Sequence, residues 1–368
     1  MLSYALKRLL LMIPTLFGIM LISFIIIQFV PGGPVEKMIA ELQGHGTSAT
    51  ARFTGGGGDM GTGNSAAQSP SGKSSSYKGA QGLDPEFIKE LEALYGFDKP
   101  THERFFIMVQ NYLTFDLGKS YYRDVGVLDL VIEKMPVSIS LGLWSTLIIY
   151  LVSIPLGIRK AVHDGEPFDV WTSAAIFIGY AIPSFMFAIL LIVLFAGGRY
   201  WDIFPLRGLT SDGWEEMSLL QQIGDYAWHM VLPTAAMVIS GFAQKTMLTK
   251  NCFLDEIGKH YVLTARSKGL SENQVLYRHI FRNAMLIIIA GFPALFVAIF
   301  FTGSLLIEVI FSLDGLGLLS YESIINRDYP VVLGTLYVFS LMSLIMFLVR
   351  DLVYVWVDPR IDFNTREI

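Results

Sequence analysis

Residues His260 to Asn283 read HYVLTARSKGLSENQVLYRHIFRN and form the most basic window of an otherwise strongly apolar chain. Apolar stretches of helical length lie on both sides of it. The basic side chains in it or directly before it are Lys259, Arg266, Lys268, Arg278 and Arg282. An excess of Lys and Arg between two membrane spans marks a cytoplasmic loop. The window therefore predicts a surface segment of a membrane protein, placed where a soluble partner can reach it.

The first part of this window has the spacing of a short helix. Tyr261, Ala265 and Lys268 follow the i, i+4, i+7 pattern that predicts one helical face. Ala265 and Gly269 lie one turn apart, and small residues at that spacing let another surface come close. The pattern predicts a docking helix.

The second part contains a stop and a new start. Gly269 suits a helix end, because glycine adopts a left-handed backbone without steric cost. Ser271 followed three residues later by Gln274 matches a capping box, which predicts the start of a second helix. We expect a short helix, a sharp stop and a second helix that enters the membrane.

Composition places the whole chain in a bilayer. It has 368 residues, of which 53% are hydrophobic and 16% charged, and its mean hydropathy is +0.51. Only lipid tolerates several unbroken apolar runs of about 20 residues. The net charge of −5 gives no general affinity for nucleic acid. The single cysteine, Cys252, excludes an internal disulfide and a cysteine metal cluster, and the scattered histidines show no metal-ligand spacing.

The apolar runs predict an all-α polytopic membrane protein with six transmembrane helices. They cover residues 9–30, 137–156, 171–196, 227–248, 284–307 and 331–355. The domain organisation that follows is an N-terminal transmembrane helix at 1–30, an insertion at 31–136, a five-helix core at 137–357 and a tail at 358–368. The basic window belongs to a loop at 249–283 within that core.

The hydrophilic insertion divides into two parts. Residues 44–82 are rich in Gly, Ser, Thr and Ala, and we expect a flexible loop there. Residues 84–136 predict a cap of packed helices. Asp84, Pro85 and Gly96 frame its first helix. A second has Phe105, Met108, Val109, Tyr112 and Leu113 at helical spacing.

Charge asymmetry orients the chain. The loop at 245–282 carries seven Lys or Arg against three acids, whereas the loop at 198–226 is acidic. The positive-inside rule then places 249–283 and both termini in the cytoplasm and the insertion on the outer side. This predicts a multi-pass membrane protein, and the family resemblance described below implies that the membrane is the cell inner membrane.

The spans lack what a self-powered carrier needs. No ionisable side chain falls in the middle of any predicted span. A coupling ion would need a binding group near the midplane. Energy for transport is therefore expected from another protein, which would dock on the basic window.

Several strings in order along the chain resemble one family. TARSKGL at 264–270, followed by a basic helix ending RHIFRNA, resembles the cytoplasmic coupling loop of ABC-importer permeases of the dipeptide/oligopeptide family. The resemblance extends over nearly the whole chain, through PGGP at 31–34, SIPLGIRKAV at 153–162, YAIPSF at 180–185 and DPRID at 358–362. Within the family, residues 253–293 and 301–319 are most similar to permeases of Yej-type importers of oligopeptides and microcin C.

The resemblance implies the transmembrane subunit of a type I ABC importer, which forms half the translocation pore. It implies as partners a second homologous permease subunit, ABC ATPase subunits, a periplasmic peptide-binding protein and a peptide substrate. It implies no catalytic residue or cofactor in this chain, because ATP and Mg are bound by the ATPase partners. The phosphate-loop-like string AQSPSGKS at 67–74 lacks a preceding strand, so we do not expect it to bind nucleotide.

The family's docking role carries over to six matched positions. These are Tyr261, Thr264, Ala265, Lys268, Gly269 and Leu270. Two positions depart from the common pattern. His260 stands where many relatives have an acid, and Asp314 replaces a common proline before the Gly-Leu-Gly sequence.

A second candidate region follows the fifth predicted span. Its residues Asp314, Gly315, Gly317, Arg327 and Asp328 either contribute to an outer gate or binding-protein contact, or form a re-entrant turn that simply connects two helices. The sequence leaves both open.

Other functions also remain open at this point. A permease for dipeptides, nickel chelates or glutathione belongs to the same class. An ion-coupled secondary transporter acting alone and a membrane-anchored scaffold without a pore belong to different ones. Co-purification of an ATPase and a second permease discriminates among them.

Overall fold

A computed structural model describes residues 2–29, 98–198, 200–291 and 305–357. The helix framed by Asp84 and Gly96, the 44–82 loop, the string at 67–74 and the tail at 358–368 lie outside these ranges. Over the described residues the chain is helical, with one isolated β-bridge between Lys119 and Gly126. By contacts it divides into two compact units. The first comprises Met1–Leu9, Met135–Gly317 and Met342–Ile368, and the second comprises Leu10–Lys134 and Leu318–Leu341.

The described residues contain twelve α-helices, numbered here in chain order. Their bounds are α1 Leu2–Phe29, α2 Thr101–Leu113, α3 Val127–Val162, α4 Pro167–Ala181, α5 Ser184–Phe195, α6 Leu219–Ile257, α7 His260–Ser267, α8 Glu272–Gln274, α9 Phe281–Ala290, α10 Leu305–Ile310, α11 Leu316–Asn326 and α12 Tyr329–Val357. A π-helical turn, Val275–Ile280, joins α8 to α9.

Within the described ranges, four helices are long and apolar enough to span a membrane, namely α1, α3, α6 and α12. The run predicted as one span at 171–196 consists instead of α4 and α5, which are bent by 93°. Ile182 before Pro183 is extended, with ψ 121°, because the proline ring disfavours a helical residue before it. The middle of the span predicted at 284–307 lies outside the described residues.

Two of these helices are longer than a bilayer requires. The 36 residues of α3 and the 39 of α6 extend about 54 and 58 Å, whereas the hydrocarbon layer is about 30 Å thick. Helix α3 starts at Val127, ten residues before the apolar span predicted from Val137, and it contains Pro136. Neighbouring helices can satisfy the carbonyl that a buried proline frees. Polar residues near the ends of α3 and α6 thus lie beyond the hydrocarbon layer.

Helices α3 and α6 run parallel and very close together in the first unit. Ser145 Oγ lies 3.6 Å from Met237 Sδ, and Ser153 Oγ donates to the Phe242 carbonyl at 3.3 Å. A Cβ on Gly157 would lie 2.6 Å from Thr249 Cβ. Small residues permit this approach, as is common between membrane helices. Both helices therefore end at the same end of this unit, where the basic window begins.

In the second unit, α2 packs as an amphipathic helix. The ring of Phe105 contacts those of Phe17 and Phe24 on α1 at 5.6 and 5.3 Å, and Tyr112 contacts Tyr337 at 5.1 Å. The sequence prediction is confirmed for Phe105 and Tyr112, which are buried, whereas Leu113 is exposed. Burial raises the pKa of the Tyr112 hydroxyl, so this group stays neutral.

Candidate docking site

The basic window folds as a short helix, a stop and a second helix. Helix α7 ends at Ser267, and Gly269 follows with φ +79° in the left-handed region. The Ser271 backbone N–H donates to Gln274 Oε1 at 3.1 Å, and the Gln274 N–H donates to Ser271 Oγ at 3.4 Å. Both local predictions, the glycine stop and the capping box, are confirmed. We call residues 260–274 the docking segment.

One side of the docking segment is part of an apolar core in the first unit. Val262 and Ala265 of α7 are buried, as are Val275 in the π-helical turn and Phe253 of α6. Partly buried Tyr261 and Leu270 pack against the same core. This core fixes the position of the segment.

The opposite side of the docking segment faces outward. Leu263 is 53% exposed, and Thr264, Ser267 and Lys268 are also exposed. Arg266 Nη2 lies 2.9 Å from Glu272 Oε2 in an ion pair that crosses the stop. Both side chains are well exposed, so this pair contributes at most about 1 kcal/mol. The surface offers one apolar side chain among polar and basic ones, a mixture suited to a soluble partner.

The six predicted docking residues therefore separate into two groups. Thr264, Lys268 and Gly269 are exposed, whereas Tyr261, Ala265 and Leu270 turn toward the core. Tyr261, Ala265 and Lys268 do not share one environment, because the first two pack against the core whereas Lys268, the C-cap residue of α7, is exposed. The stacking of Ala265 and Gly269 one turn apart stays a prediction. Ala265, at 6% exposed, lets α7 approach its own subunit's core.

Tyr261 anchors the docking segment to the end of α6. Its hydroxyl donates to Glu256 Oε2 at 2.7 Å, and Lys259 also bonds to Glu256. Burial, together with the hydrogen bond to this carboxylate, raises the pKa of the Tyr261 hydroxyl. The tyrosine therefore remains a neutral donor that fixes the angle between α6 and α7.

The π-helical turn was not predicted from the sequence. Val275 and Ile280 are both buried, and residues five apart share a side where hydrogen bonds run from i to i+5. Tyr277, between them, is 61% exposed. The five-residue spacing of the two apolar residues is the only sequence signal for this turn.

The sequence also contains no signal for a cluster of charges at the same ends of α3 and α6, in which Lys160, Asp169 and Lys250 are buried and Asp164 is exposed. Asp169 forms ion pairs with two lysines, with Oδ1 at 2.9 Å from Lys160 Nζ and Oδ2 at 2.7 Å from Lys250 Nζ, which donates a hydrogen bond to it. Lys250 Nζ also lies 2.7 Å from Asp164 Oδ1. We call Lys160, Asp164, Asp169 and Lys250 the ion cluster. Sequence distance conceals it, since Lys250 lies 81 residues from Asp169.

Part of the second candidate region lies in the first unit. Asp314 is exposed, whereas Gly315 is buried against the carboxylate of Glu308. A Cβ at Gly315 would lie 2.6 Å from Glu308 Cδ, so a larger residue there would have to displace the Glu308 carboxylate. Ser138 Oγ accepts from the Leu316 N–H at 2.9 Å. Gly315 thus permits a close internal contact, and Gly317 beside it is half-buried.

The rest of that region, Arg327 and Asp328, lies in the second unit. Asp328 is only 4% exposed, and its carboxylate accepts from Ser120 Oγ at 2.5 Å and from the Tyr121 N–H at 3.1 Å. Burial raises the pKa of this carboxyl, although the two hydrogen bonds act in the opposite direction. Asp328 therefore tethers the 120–121 loop to the turn before α12, whereas Arg327, with φ +58°, is half-buried at that turn.

Comparison with known proteins gives a consistent set of matches. Residues 153–363 match the family model described as "binding-protein-dependent transport system inner membrane component". The chain is 60% identical over 366 residues to the peptidoglycan transport system permease protein YejB of Agrobacterium fabrum, with 100% of both chains covered.

Two further relatives extend the set. The chain is 58% identical to the inner membrane ABC transporter permease protein YejB of Escherichia coli O157:H7, covering 99% of this chain and 100% of that protein. It is 30% identical to the oligopeptide transport system permease protein AppB of Bacillus subtilis, again covering 99% and 100%.

Proposed function

The chain belongs to the binding-protein-dependent transport system inner membrane component family, as an ABC-importer permease of the Yej type, and we propose that it forms half the translocation pore of an ATP-driven oligopeptide importer. It is a multi-pass protein of the inner membrane. The proposal places both termini and the docking segment in the cytoplasm and residues 31–136 on the periplasmic side. Arg8 Nη2 lies 2.7 Å from Asp351 Oδ2, which supports termini on the same side.

The coupling proposal rests on one observation, which is that the docking segment has one buried side and one exposed side. An apolar core with Val262 and Ala265 holds it rigidly, and the exposed side presents Leu263, Thr264 and Lys268. A surface that transmits force must be both accessible and firmly attached to what it moves. We propose that ATPase subunits dock on Thr264, Lys268 and Gly269, and that Tyr261, Ala265 and Leu270 set the geometry from behind.

Alternating access follows from that attachment. ATP and Mg would bind to the ATPase subunits, and closure of their dimer would displace the docking segment. Because this segment shares a core with α3 and α6, its displacement would bias the helix bundle toward the outward-open state. Hydrolysis would reverse the bias. A peptide delivered by a periplasmic binding protein would then cross between this chain and a second, homologous permease.

We propose that the substrates are oligopeptides, and this is supported by the relative named for oligopeptide transport. A second candidate is peptide-bearing fragments of peptidoglycan, because the relative at 60% identity is named for peptidoglycan transport. Microcin C-like peptides belong to the first class, and dipeptides, nickel chelates and glutathione remain competing cargoes within the importer class.

For the second candidate region we propose that only some of the predicted residues contact other groups directly. Exposed Asp314 and half-buried Arg327 are the candidates for a gate or binding-protein contact. Gly315, Gly317 and Asp328 would support them structurally, because Gly315 and Asp328 are already engaged inside the chain.

One purification tests the assignment. The tagged chain should co-purify with an ATPase and a second permease in stoichiometric amounts, and the binding protein of the same system should carry identifiable peptides. Proteoliposomes of that complex should take up those peptides only with ATP inside and binding protein outside. Transport by this chain alone under a proton gradient would instead support a secondary carrier.

A further inference from the structure

The ion cluster joins three helices at the end of the first unit that carries the docking segment. Lys160 lies in the last turn of α3, Asp169 in the first turn of α4, and Lys250 in the last three turns of α6. Lys160 is 0% exposed and also donates to the Asp169 carbonyl at 2.8 Å. A cation at a helix C-terminus and an anion at an N-terminus both suit the helix dipoles. Lys160 and Asp169 therefore lie where the helix dipoles stabilise their charges.

Its hydrogen bonding is nearly complete. Lys160 Nζ donates to Thr172 Oγ1 at 2.8 Å and to Ser173 Oγ at 2.7 Å, in addition to its contacts with Asp169. The Gly165 N–H donates to Asp169 Oδ2 at 3.2 Å. Two buried cations face one buried carboxylate, Asp169, and the exposed carboxylate of Asp164 balances the remaining positive charge. Such an arrangement has one favourable geometry and resists small displacements.

The cluster is connected to the docking segment through apolar packing. Ala161, next to Lys160, lies in the same core as Val262 and Ala265 of α7. Phe253, three residues after Lys250, is fully buried in that core. No flexible linker separates the charges from the docking segment.

Stability alone does not account for three buried charges, those of Lys160, Asp169 and Lys250. The cost of removing ions from water offsets most of their attraction, and apolar replacements of similar volume are often as stable. What a shared carboxylate does supply is a fixed relation among the groups bound to it. We propose that the ion cluster is a positioning device that locks the ends of α3, α4 and α6 to the docking segment, so that ATPase movement reaches all three helices together. This inference rests on the proposed function.

A charge-balanced double variant tests this role. Lys160→Met with Asp169→Asn removes one charge of each sign and leaves the Lys250–Asp164 pair, so the fold should persist. We expect ATPase co-purification within about twofold of the unsubstituted chain, but about tenfold less peptide uptake per ATP hydrolysed. Lys250→Arg, which keeps the charge, should retain most of the coupling.

The matched control makes the same chemical changes in an exposed pair. Lys119 Nζ and Asp124 Oδ1 lie 3.8 Å apart with side chains 74% and 95% exposed, so Lys119→Met with Asp124→Asn should leave uptake per ATP unchanged. Unaltered uptake per ATP in the ion-cluster variant would overturn the inference, as would a loss that only parallels reduced assembly. If the unsubstituted chain binds no ATPase, the proposed function fails instead.

Discussion

The docking segment and the turn at Arg327–Asp328 both carry charged residues, and from the sequence alone both are candidates for contacts with a partner protein. In the docking segment, the core holds apolar side chains inside, and Thr264 and Lys268 remain exposed. At the Arg327–Asp328 turn the charged residue Asp328 is itself buried, and its carboxylate accepts hydrogen bonds from Ser120 and Tyr121. A polar motif is therefore available to a partner only where apolar residues hold the segment in place.

The largest effect is expected at Gly269, where the docking segment changes direction. A Cβ at this position would meet no atom within 4 Å, but the backbone has φ +79°. Gly269→Val forces a β-branched residue into the left-handed region, at a cost above about 1–2 kcal/mol, and the stop should rearrange. ATPase co-purification should fall by about tenfold or more, since 1.36 kcal/mol corresponds to a factor of ten.

Gly269→Asn is the control for that substitution. Asparagine enters the left-handed region more readily than other side chains, so most ATPase association should survive. Equal losses in both variants would show that side-chain bulk, rather than backbone strain, disturbs the docking surface.

A smaller effect is expected from the buried side of the same segment. Ala265→Leu adds three heavy atoms to a packed core and should destabilise it by about 1–3 kcal/mol. This loss should appear as a lower Tm of the detergent-solubilised chain. Thr264→Leu, at the exposed neighbouring position, should leave Tm unchanged and weaken ATPase binding. An unchanged Tm for Ala265→Leu with lost ATPase binding would place Ala265 at the interface after all.

The turn at Arg327–Asp328 should respond through stability. Asp328→Ala leaves the Ser120 and Tyr121 donors without their acceptor and should cost about 1–3 kcal/mol. Asp328→Asn keeps an acceptor for the Tyr121 N–H and should cost less at neutral pH. Thermal unfolding of both variants, with ATPase binding as the second readout, separates a tether from a docking residue, because ATPase binding should not change.

The same carboxyl should give a pH signature. Burial raises its native-state pKa above the ordinary 3.8, so the folded state binds the proton more tightly than the unfolded state. Its contribution to stability is therefore greatest below pH about 4 and is lost as pH rises through the native pKa. The Tm advantage of the unsubstituted chain over Asp328→Asn should shrink along that rise, and an increase would contradict burial as the dominant influence.

The smallest effect is expected from an ion pair in the same unit as Asp328. Arg123 Nη2 lies 2.7 Å from Glu322 Oε2, with side chains 36% and 23% exposed. Arg123→Met should change stability by no more than about 1 kcal/mol, and added salt should reduce the difference. A loss as large as that of Asp328→Ala would show that this pair, too, tethers the loop.

The sequence predicts best those features that depend on residues close together in the chain. Gly269, Ser271 and Gln274 determine a stop and a start through neighbours in sequence, and the structure places both as expected. Long-range contacts could not be predicted from the sequence, because nothing near Asp169 in the chain indicates that Lys250 will bond to it. The 93° bend at Pro183 lies between these cases, since a proline marks a possible break without specifying its angle.

The central claim is that the exposed side of the docking segment contacts the ATPase subunits in the membrane. A photo-crosslinking amino acid at Thr264 measures this in intact cells, with the same probe at exposed Asp314 as the control. The account predicts a crosslink from position 264 to the ATPase subunit and none from position 314. Crosslinks to the ATPase from position 314, or only to periplasmic proteins from position 264, would contradict it.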